Sequence, residues 1–403
     1  MNNSRRENKI IFICWLAYAV AYVGRVNFAA SIVAIIPDMQ ITKEQAGLVT
    51  SCLFFAYGIG QLVNGILSKR YNNRIMVFIS LFVSSWLNLL VPLVNNINVI
   101  KYIWLLNGAV QSILWCTLIK TISENVSEQR FNKAIVAMST PVAAGTIGAY
   151  GLSALFVKFS TWRTTFYVAF AMLLIASFIW FILYGNEKEP YKITKAEEKE
   201  SRHKIPSYMY LILFTIAVSA IANGFIKDGI NVWTSSVLVE KFNVTESFSI
   251  LITLLLPLIS LIGATFVAAI HKKIKSHSMM DLTFYAITLV VSVLSIVSLK
   301  YSKIVPLIGT FIVISCLMAM VNNVITSVFP LERRKLLGSG FLAGLINTFC
   351  YVGSTSASYG LAVVQEKFGW NMVLTVVLIV CGVAVATSAV GTFAEKKENK
   401  VIA

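Results

Sequence analysis

Long apolar segments recur along this chain and restrict the folds that it can adopt. Twelve of them are long enough to cross the hydrocarbon core of a bilayer, which takes about 20 residues of helix. The chain of 403 residues is 57% hydrophobic and only 13% charged, a charged fraction about half that of an average soluble domain. These patterns predict an all-α integral membrane protein. The predicted spans are 10–36, 44–67, 74–94, 98–120, 133–157, 165–184, 207–238, 246–270, 280–299, 304–328, 336–363 and 371–393.

Basic residues are distributed unevenly between the two sides of these spans. Twelve spans place both termini on one side, and that side holds 24 of the 34 lysines and arginines, against eight on the other. Because loops rich in lysine and arginine stay in the cytoplasm, the sequence predicts a multi-pass protein of the cell membrane with both termini cytoplasmic. The net charge of +16 follows this topology, so it indicates contact with a lipid bilayer and not with nucleic acid.

A polar segment divides the spans into two groups of six. It covers 185–205 and holds six basic and five acidic residues, a composition that predicts a solvated cytoplasmic loop and not a separate domain. The predicted organisation is therefore an N-terminal six-helix half over 1–184, a central loop over 185–205 and a C-terminal six-helix half over 206–403.

Sequence matches between the halves indicate a duplicated six-helix unit. The pattern Tyr-Gly-Leu, five residues, Lys-Phe occupies 150–159 and recurs 209 residues later at 359–368, and each copy is followed by a tryptophan, Trp162 or Trp370. Two such halves, related by an axis along the membrane normal, place a binding site at their interface near the bilayer midplane.

The first helix of each half carries a second match. Arg25 precedes Glu44 by 19 residues, and Lys227 precedes Glu246 by the same number. Arg25 and Lys227 are therefore predicted to be equivalent residues of the two halves. The N-caps predicted for the helices that follow are Thr42, which forms a capping box with Gln45, and Thr245.

Arg25 falls near the middle of the first predicted span, where a charge costs about 2.5–3.5 kcal/mol on insertion scales. Tyr18 and Tyr22 share its helix face at i, i+4 and i+7. A guanidinium fork and an ammonium group both suit phosphate or carboxylate oxygens. We therefore expect Arg25 and Lys227 to bind a small anionic substrate. The alternative is that backbone carbonyls or a buried partner satisfy Arg25.

Asp228 is the only acidic residue expected well inside a predicted span, and three interpretations stay open. It neutralises Lys227 or Arg25 in the empty carrier, or it is a carboxylate that couples protons to transport. The third interpretation is that it braces a local break in the helix near Gly224 and Gly229.

Further polar side chains lie inside the apolar segments. Asn107, Gln111 and Trp115 follow at four-residue spacing on one helix face, with Lys120 at the helix end as an expected interface anchor. Interhelical hydrogen bonding and substrate contact both remain open for Asn322, Asn323, Asn347 and Tyr351.

Patterns typical of an enzyme or a metalloprotein are not found. The six cysteines all lie in apolar segments, and the chain has no phosphate-binding loop of the form G-x-x-x-x-G-K-[ST]. The three histidines, His203, His271 and His277, are expected on the cytoplasmic side, outside any intramembrane proton relay. We therefore expect a monomeric carrier driven by a gradient, with no metal, no cofactor and no enzymatic activity.

The loop after the second span carries a motif of basic and small residues. Its sequence over 65–74 is Gly-Ile-Leu-Ser-Lys-Arg-Tyr-Asn-Asn-Arg. With the two six-helix halves and the charged central loop, this motif resembles the major facilitator superfamily, although Lys69 replaces the usual aspartate. The resemblance implies twelve transmembrane helices in two pseudo-symmetric halves and a gating role for Gly65, Lys69, Arg70 and Arg74.

Spaced motifs in four of the spans and just before the twelfth span are more specific. They are Tyr-Val-Gly-Arg-Val-Asn-Phe at 22–28, Ala-Tyr-Gly at 56–58, Gly108 with Gln111, Trp115 and Lys120, Lys227 with Gly229, Ile230 and Trp233, and Phe-Gly-Trp at 368–370. On these residues the chain resembles the organophosphate:inorganic-phosphate antiporters, the glycerol-3-phosphate and hexose-phosphate transporters. The expected substrate-binding residues are Tyr18, Tyr22, Arg25, Gln61, Gln111, Lys227 and Tyr351.

Two positions depart from the pattern of that family. Val142 stands near its helix-5 histidine, and Gln61 stands at its helix-2 lysine. We expect a secondary active transporter that moves a phosphate ester or a related organic acid by alternating access, in exchange for inorganic phosphate. The departures leave open a proton symporter of a singly charged acid that uses Asp228. A third alternative is a transporter-like sensor that binds its ligand without net flux.

Overall fold

All regular secondary structure in the described part of the chain is helical. The computed structural model describes residues 3–67, 72–138, 140–185, 207–271, 273–274, 276–332 and 339–402. The helices are α1 (Asn3–Met39), α2 (Lys43–Leu67), α3 (Asn73–Leu90), α4 (Ile97–Asn125), α5 (Glu128–Ala137), α6 (Pro141–Phe159), α7 (Trp162–Gly185), α8 (Ser207–Phe242), α9 (Glu246–Thr253), α10 (Leu255–His271), α11 (His277–Lys300), α12 (Ile304–Asn323), α13 (Phe329–Glu332) and α14 (Ser339–Ile402).

One residue of α14 departs from helical backbone geometry. Gly369 has φ +77° and ψ 178°, a region that glycine enters at no steric cost. The apolar stretch Gly344–Lys396 around it is 53 residues long, enough for two spans of about 20 residues each. Together with the ten other candidate spans among the described residues, it gives the predicted all-α fold of twelve transmembrane helices.

Three predicted spans are interrupted in ways that the apolar pattern did not indicate. The fifth span begins only at Pro141, whose fixed φ suits the first turn of a helix. The eighth span is divided at Leu254, because Pro257 has no N–H to continue the helical hydrogen bonding. The tenth span ends in the π-helical turn Val324–Val328.

The central loop cannot be compared with its prediction, because Gly185 is the last residue of α7 and 186–206 lie outside the described residues. The same holds for Lys69 and Arg70 of the predicted gating motif and for His203.

The chain divides into two compact units. The first contains the described residues of Met1–Ile41, Cys52–Glu198 and Glu246–Leu254, and the second contains those of Thr42–Ser51, Lys199–Thr245 and Leu255–Ala403. Each unit thus includes a short piece, 42–51 or 246–254, that the sequence analysis assigned to the opposite half. The predicted boundaries at 184 and 206 remain predictions. In the first unit α1 packs on α6 and α7, and in the second α14 packs on α8 and α11.

Glycines allow the inner helices to approach backbone to backbone within each unit. A Cβ at Gly145 of α6 would lie 2.2 Å from the carbonyl oxygen of Ala19 in α1. A Cβ at Gly224 of α8 would lie 1.9 Å from the carbonyl oxygen of Cys350 in α14. Small residues at such contacts are typical of helix packing in membranes, and they hold α1 and α8, which carry Arg25 and Lys227, in the interior of their units.

The start of α2 confirms the predicted capping box. The Thr42 hydroxyl accepts from the Gln45 N–H at 3.1 Å, and the Gln45 side chain accepts from the Thr42 N–H at 3.0 Å. Within the second unit, Tyr359 donates to the Glu44 carboxylate at 2.7 Å and Ser51 donates to the Thr355 carbonyl at 2.7 Å. These bonds attach the first three turns of α2 to α14.

Each unit contains a hydrogen bond between an indole and a carboxylate. In the first, Trp162 Nε1 donates to Asp38 Oδ2 at 3.0 Å and joins the start of α7 to the end of α1. In the second, Trp370 Nε1 donates to Glu240 Oε2 at 2.9 Å and joins α14 to the end of α8. The two tryptophans are the residues that follow the repeated pattern in the sequence. The duplication is therefore present in the hydrogen bonds of the structure as well as in the sequence.

Candidate functional site

Arg25 lies in the interior of the first unit, where only 3% of its surface is exposed. Its Nε donates to Gln111 Oε1 on α4 at 2.8 Å. The predicted helix-face partners Tyr18 and Tyr22 lie beside it, with the guanidinium carbon 5.7 and 4.2 Å from their ring centroids. The structure therefore brings together four of the predicted binding residues on α1 and α4.

Tyr57 of α2 completes this group, although the sequence analysis named it only as part of a motif. Its ring centroid lies 4.1 Å from the Arg25 guanidinium carbon, and its hydroxyl lies 3.4 Å from that of Tyr18. Gln61 donates to the Tyr57 hydroxyl at 2.9 Å, which connects this predicted residue to the group through Tyr57. The i, i+4 spacing of Tyr57 and Gln61 was the available sequence signal. We call Tyr18, Tyr22, Arg25, Tyr57, Gln61 and Gln111 the Arg25 cluster.

A buried amide and hydroxyl network fixes the orientation of Gln111. Its Nε2 donates to Ser84 Oγ at 2.8 Å, and Ser84 in turn donates to Asn107 Oδ1 at 2.6 Å. Asn107 closes the network by donating to the Gly24 carbonyl at 3.0 Å. Gln111 is thereby set with its Oε1 toward Arg25, and Asn107 links α4 to α3 and α1.

Lys227 of the second unit has a different environment. Its Nζ lies 3.6 Å from Asp228 Oδ1, and the two side chains are 31% and 18% exposed. Ser354 of α14 donates to Asp228 Oδ2 at 2.5 Å. This is the geometry of the charge-balancing alternative for Asp228. The helix-break alternative is wrong, because α8 runs without interruption from Ser207 to Phe242.

Tyr351 is on α14, three residues before Ser354 and therefore on a neighbouring part of the same helix face. Ser354 itself was missed by the sequence analysis, since a serine in an apolar helix gives no signal until its partner is known.

Of the predicted gating motif, Gly65 and Arg74 lie within the described residues. Arg74 Nε donates to the Phe181 carbonyl near the end of α7 at 3.1 Å, and its guanidinium lies 3.9 Å from the Phe181 ring centroid. Lys120 lies 3.7 Å from Glu124 one turn further along α4. These basic groups are thus held by partners within the first unit.

The sequence analysis was wrong that Asp228 is the only acidic residue inside a span. Asp281 of α11 lies inside the candidate span His277–Lys300 and is 1% exposed. The sequence analysis did not single it out, because its burial depends on packing against α14 and on a hydrogen bond with Ser219 of α8 that the sequence does not reveal.

Comparisons with known proteins agree with this architecture. The family model described as Major Facilitator Superfamily matches residues 14–358. A protein of Chlamydia trachomatis described as a probable hexose phosphate transport protein is 22% identical over 396 residues, which covers 90% of this chain and 86% of that protein. The glycerol-3-phosphate transporter of Bacillus subtilis is 25% identical over 251 residues, 56% of each chain.

A solved structure gives the same result for the fold. The crystal structure of a bacterial homologue of the human lysosomal transporter Spinster, in an inward-facing and occupied conformation, has a TM-score of 0.79. It covers 96% of this chain and 97% of that one at 12% identity, so the likeness concerns the fold alone.

Proposed function

Because the chain belongs to the major facilitator superfamily, we propose that it is a secondary transporter that carries a small organic anion by alternating access. Among such transporters, the organophosphate:inorganic-phosphate antiporters fit best, with a phosphate ester as substrate and inorganic phosphate as the exchanged ion. The two relatives named for hexose phosphate and glycerol-3-phosphate support this substrate class. We propose no enzymatic activity, and a single chain as the transporting unit.

The Arg25 cluster is the observation that carries the proposal. A cation buried to 97% costs free energy unless something compensates it. Three tyrosine rings and one amide contribute to this compensation, since cation–π contacts are worth about 0.5–2 kcal/mol. A phosphate or carboxylate group gives more, because hydrogen bonds between ionised partners are roughly twice as strong as neutral ones. The buried guanidinium is therefore best explained as an anion-binding group.

The second candidate function is also transport of an organic anion, but transport is coupled to protons and not to exchange of inorganic phosphate. Lys227 already has Asp228 beside it, and Gln61 and Val142 are uncharged where the resembled family has basic residues. Fewer uncompensated positive charges favour a singly charged acid over a doubly charged ester. In that case a proton gradient drives uptake, with Asp228 as the first carboxylate to test.

Exchange in proteoliposomes separates these candidates. Vesicles loaded with inorganic phosphate are offered labelled glycerol-3-phosphate, a hexose phosphate, phosphoglycerate or a sugar acid. Uptake of an ester that requires internal phosphate supports the antiporter. Entry of the sugar acid alone, driven by an imposed pH gradient and abolished by a protonophore, contradicts the antiporter and supports symport. Binding of a ligand without any flux contradicts both and supports the sensor.

The orientation of the chain in the membrane is also a proposal, with both termini on the cytoplasmic side of the cell membrane. It rests on the excess of basic residues on the termini side of the predicted spans. Labelling of a cysteine added at the C-terminus by a membrane-impermeant reagent tests it: intact cells are expected to protect this cysteine, and labelling in intact cells would contradict the proposal.

A further inference from the structure

A group of ionisable side chains is buried in the second unit, apart from Lys227 and Asp228. It consists of Asp281 and His277 on α11 and Glu395 on α14, which are 1%, 2% and 4% exposed. His271 at the end of α10 stacks near it, with its ring centroid 5.7 Å from that of His277. Nothing in the proposed substrate site uses these residues.

The two carboxyl groups differ in the number of hydrogen bonds that they receive. Glu395 Oε1 accepts from the Ser278 N–H at 3.2 Å and the Ser278 hydroxyl at 2.8 Å, and its Oε2 accepts from Ser276 at 2.5 Å. His277 Nδ1 lies 3.9 Å from Glu395 Oε1. The Glu395 carboxyl group thus receives three hydrogen bonds and lies beside an imidazole.

Asp281 has one such donor. Its Oδ2 lies 2.8 Å from the hydroxyl of Ser219 on α8, whereas its Oδ1 is buried without a hydrogen-bond partner among the residues that the structure describes. An ionised carboxylate in this position would leave a charge-bearing oxygen bare, and such groups take up a proton instead. The negative charge of Glu395 nearby favours the same outcome, because two buried carboxylates resist ionising together.

Protonation of Asp281 allows the hydroxyl groups of Ser219 and Tyr285 each to donate a hydrogen bond. The Asp281 proton is donated to Ser219 Oγ, the Ser219 hydroxyl donates to Tyr285 Oη at 3.4 Å, and Tyr285 donates to the Ser219 carbonyl at 2.7 Å. This circuit joins α11 to α8, the helix that carries Lys227 two turns further along. The buried thiols of Cys350 and Cys381 on α14 are further ionisable groups near it, and the described residues of α12 include no acidic or basic side chain.

We propose that Asp281 is a proton-binding site of the second unit, occupied in the conformation described here and emptied when water reaches it. The burial of Asp281, its single donor and the bare Oδ1 carry this proposal. If the chain is the transporter proposed above, Asp281 is a coupling carboxylate distinct from Asp228, and this consequence rests on that proposed function.

Infrared spectroscopy of the purified full chain in liposomes, without any substrate, tests the proton site directly. At neutral pH the wild type is expected to show the carbonyl stretching band of a protonated carboxylic acid. Asp281→Asn should lack this band, and Asp228→Asn, the matched variant of the other intramembrane aspartate, should retain it. Ser219→Ala should shift the band to higher frequency without removing it, since the carboxyl group loses its hydrogen bond.

Absence of the band from the wild type at neutral pH would overturn the proposal, even if every variant failed to fold. Persistence of an unchanged band in Asp281→Asn would also overturn it. The coupling consequence is tested by transport: Asp281→Asn should keep exchange at equal pH and lose accumulation driven by a pH gradient. Unimpaired accumulation would contradict the coupling role. A wild type without any exchange would instead contradict the proposed function and leave the infrared result standing.

Discussion

Arg25 and Lys227 occupy equivalent positions of two related sequences, and they are stabilised in different ways. Arg25 is almost fully buried among aromatic rings, and its orientation is fixed by one amide on its Nε edge. Lys227 is about one third exposed and lies beside the carboxylate of the next residue. The first environment contains aromatic rings and an amide, whereas the second contains a carboxylate. The comparison indicates that the two halves kept a basic residue at the equivalent position, while the side chains around that residue changed.

Replacement of Arg25 by lysine is expected to have the largest effect on transport among the changes that test this comparison. Lysine cannot reproduce the planar stacking or the Nε bond to Gln111, so Arg25→Lys is expected to lower uptake of the substrate by about 100-fold. Arg163→Lys is the matched control, since Arg163 forms an exposed pair with Asp38 and such pairs are worth about 0–1 kcal/mol. The measurement is the initial uptake rate in proteoliposomes. Normal uptake by Arg25→Lys would contradict the proposal that the Arg25 guanidinium binds the substrate.

Removal of the carboxylate beside Lys227 should make the two environments more alike. With Asp228→Asn, Lys227 loses the carboxylate beside it, and we expect the half-saturating concentration of an anionic substrate to fall by about tenfold, or 1.4 kcal/mol. The concentration dependence of phosphate-ester exchange at equal pH measures this change. Complete loss of exchange would show that Asp228 does more than balance a charge.

The hydroxyl of Tyr57 allows a finer test of the Arg25 cluster. Tyr57→Phe keeps the ring above the guanidinium and removes the bond from Gln61 and the contact with the Tyr18 hydroxyl. A single neutral hydrogen bond is worth about 0.5–1.5 kcal/mol, so we expect substrate affinity to weaken by about fivefold. Tyr102→Phe, at a tyrosine that is 62% exposed, is the control and should have no effect on the affinity.

The smallest expected effect concerns the hydroxyl that supports Asp228. Ser354→Ala removes one donor to the carboxylate, which keeps Lys227 and partial access to water. Substrate affinity should therefore change by about twofold, at the low end of the range for a lost hydrogen bond. Ser356→Ala, at an exposed serine of the same helix, serves for comparison. An effect on substrate affinity larger than that of Tyr57→Phe would contradict the proposal that the Arg25 cluster contributes more to substrate binding than the environment of Lys227.

The sequence predicted the charged positions better than their partners. Arg25 and Lys227 were identifiable because a charge inside an apolar run is costly, and the capping box of Thr42 and Gln45 is a purely local pattern. Tyr57 and Ser354 were not identified, since their roles depend on which helices pack together. The division at Leu254 was predictable in principle from Pro257, which interrupts helical hydrogen bonding at a fixed distance.

Burial was the property that the sequence predicted least well. Asp281 is five residues into α11, a position where carboxylates are usually solvated, and its environment is created by residues more than 60 positions away. The two spans of α14, in contrast, were separated by the apolar pattern, which predicted them over 336–363 and 371–393. The glycine at 369 marks the junction by its backbone conformation.

The paired indole–carboxylate bonds allow positions in one half of this chain to be aligned with positions in the other half. Asp38 and Glu240 are 202 residues apart, as are Arg25 and Lys227, whereas Trp162 and Trp370 are 208 apart. The segment from the carboxylate to the tryptophan is therefore six residues longer in the second copy than in the first. Every substitution in one copy has a homologous position in the other within a single gene product, so paralogue comparison, normally made between proteins, can be carried out inside one polypeptide.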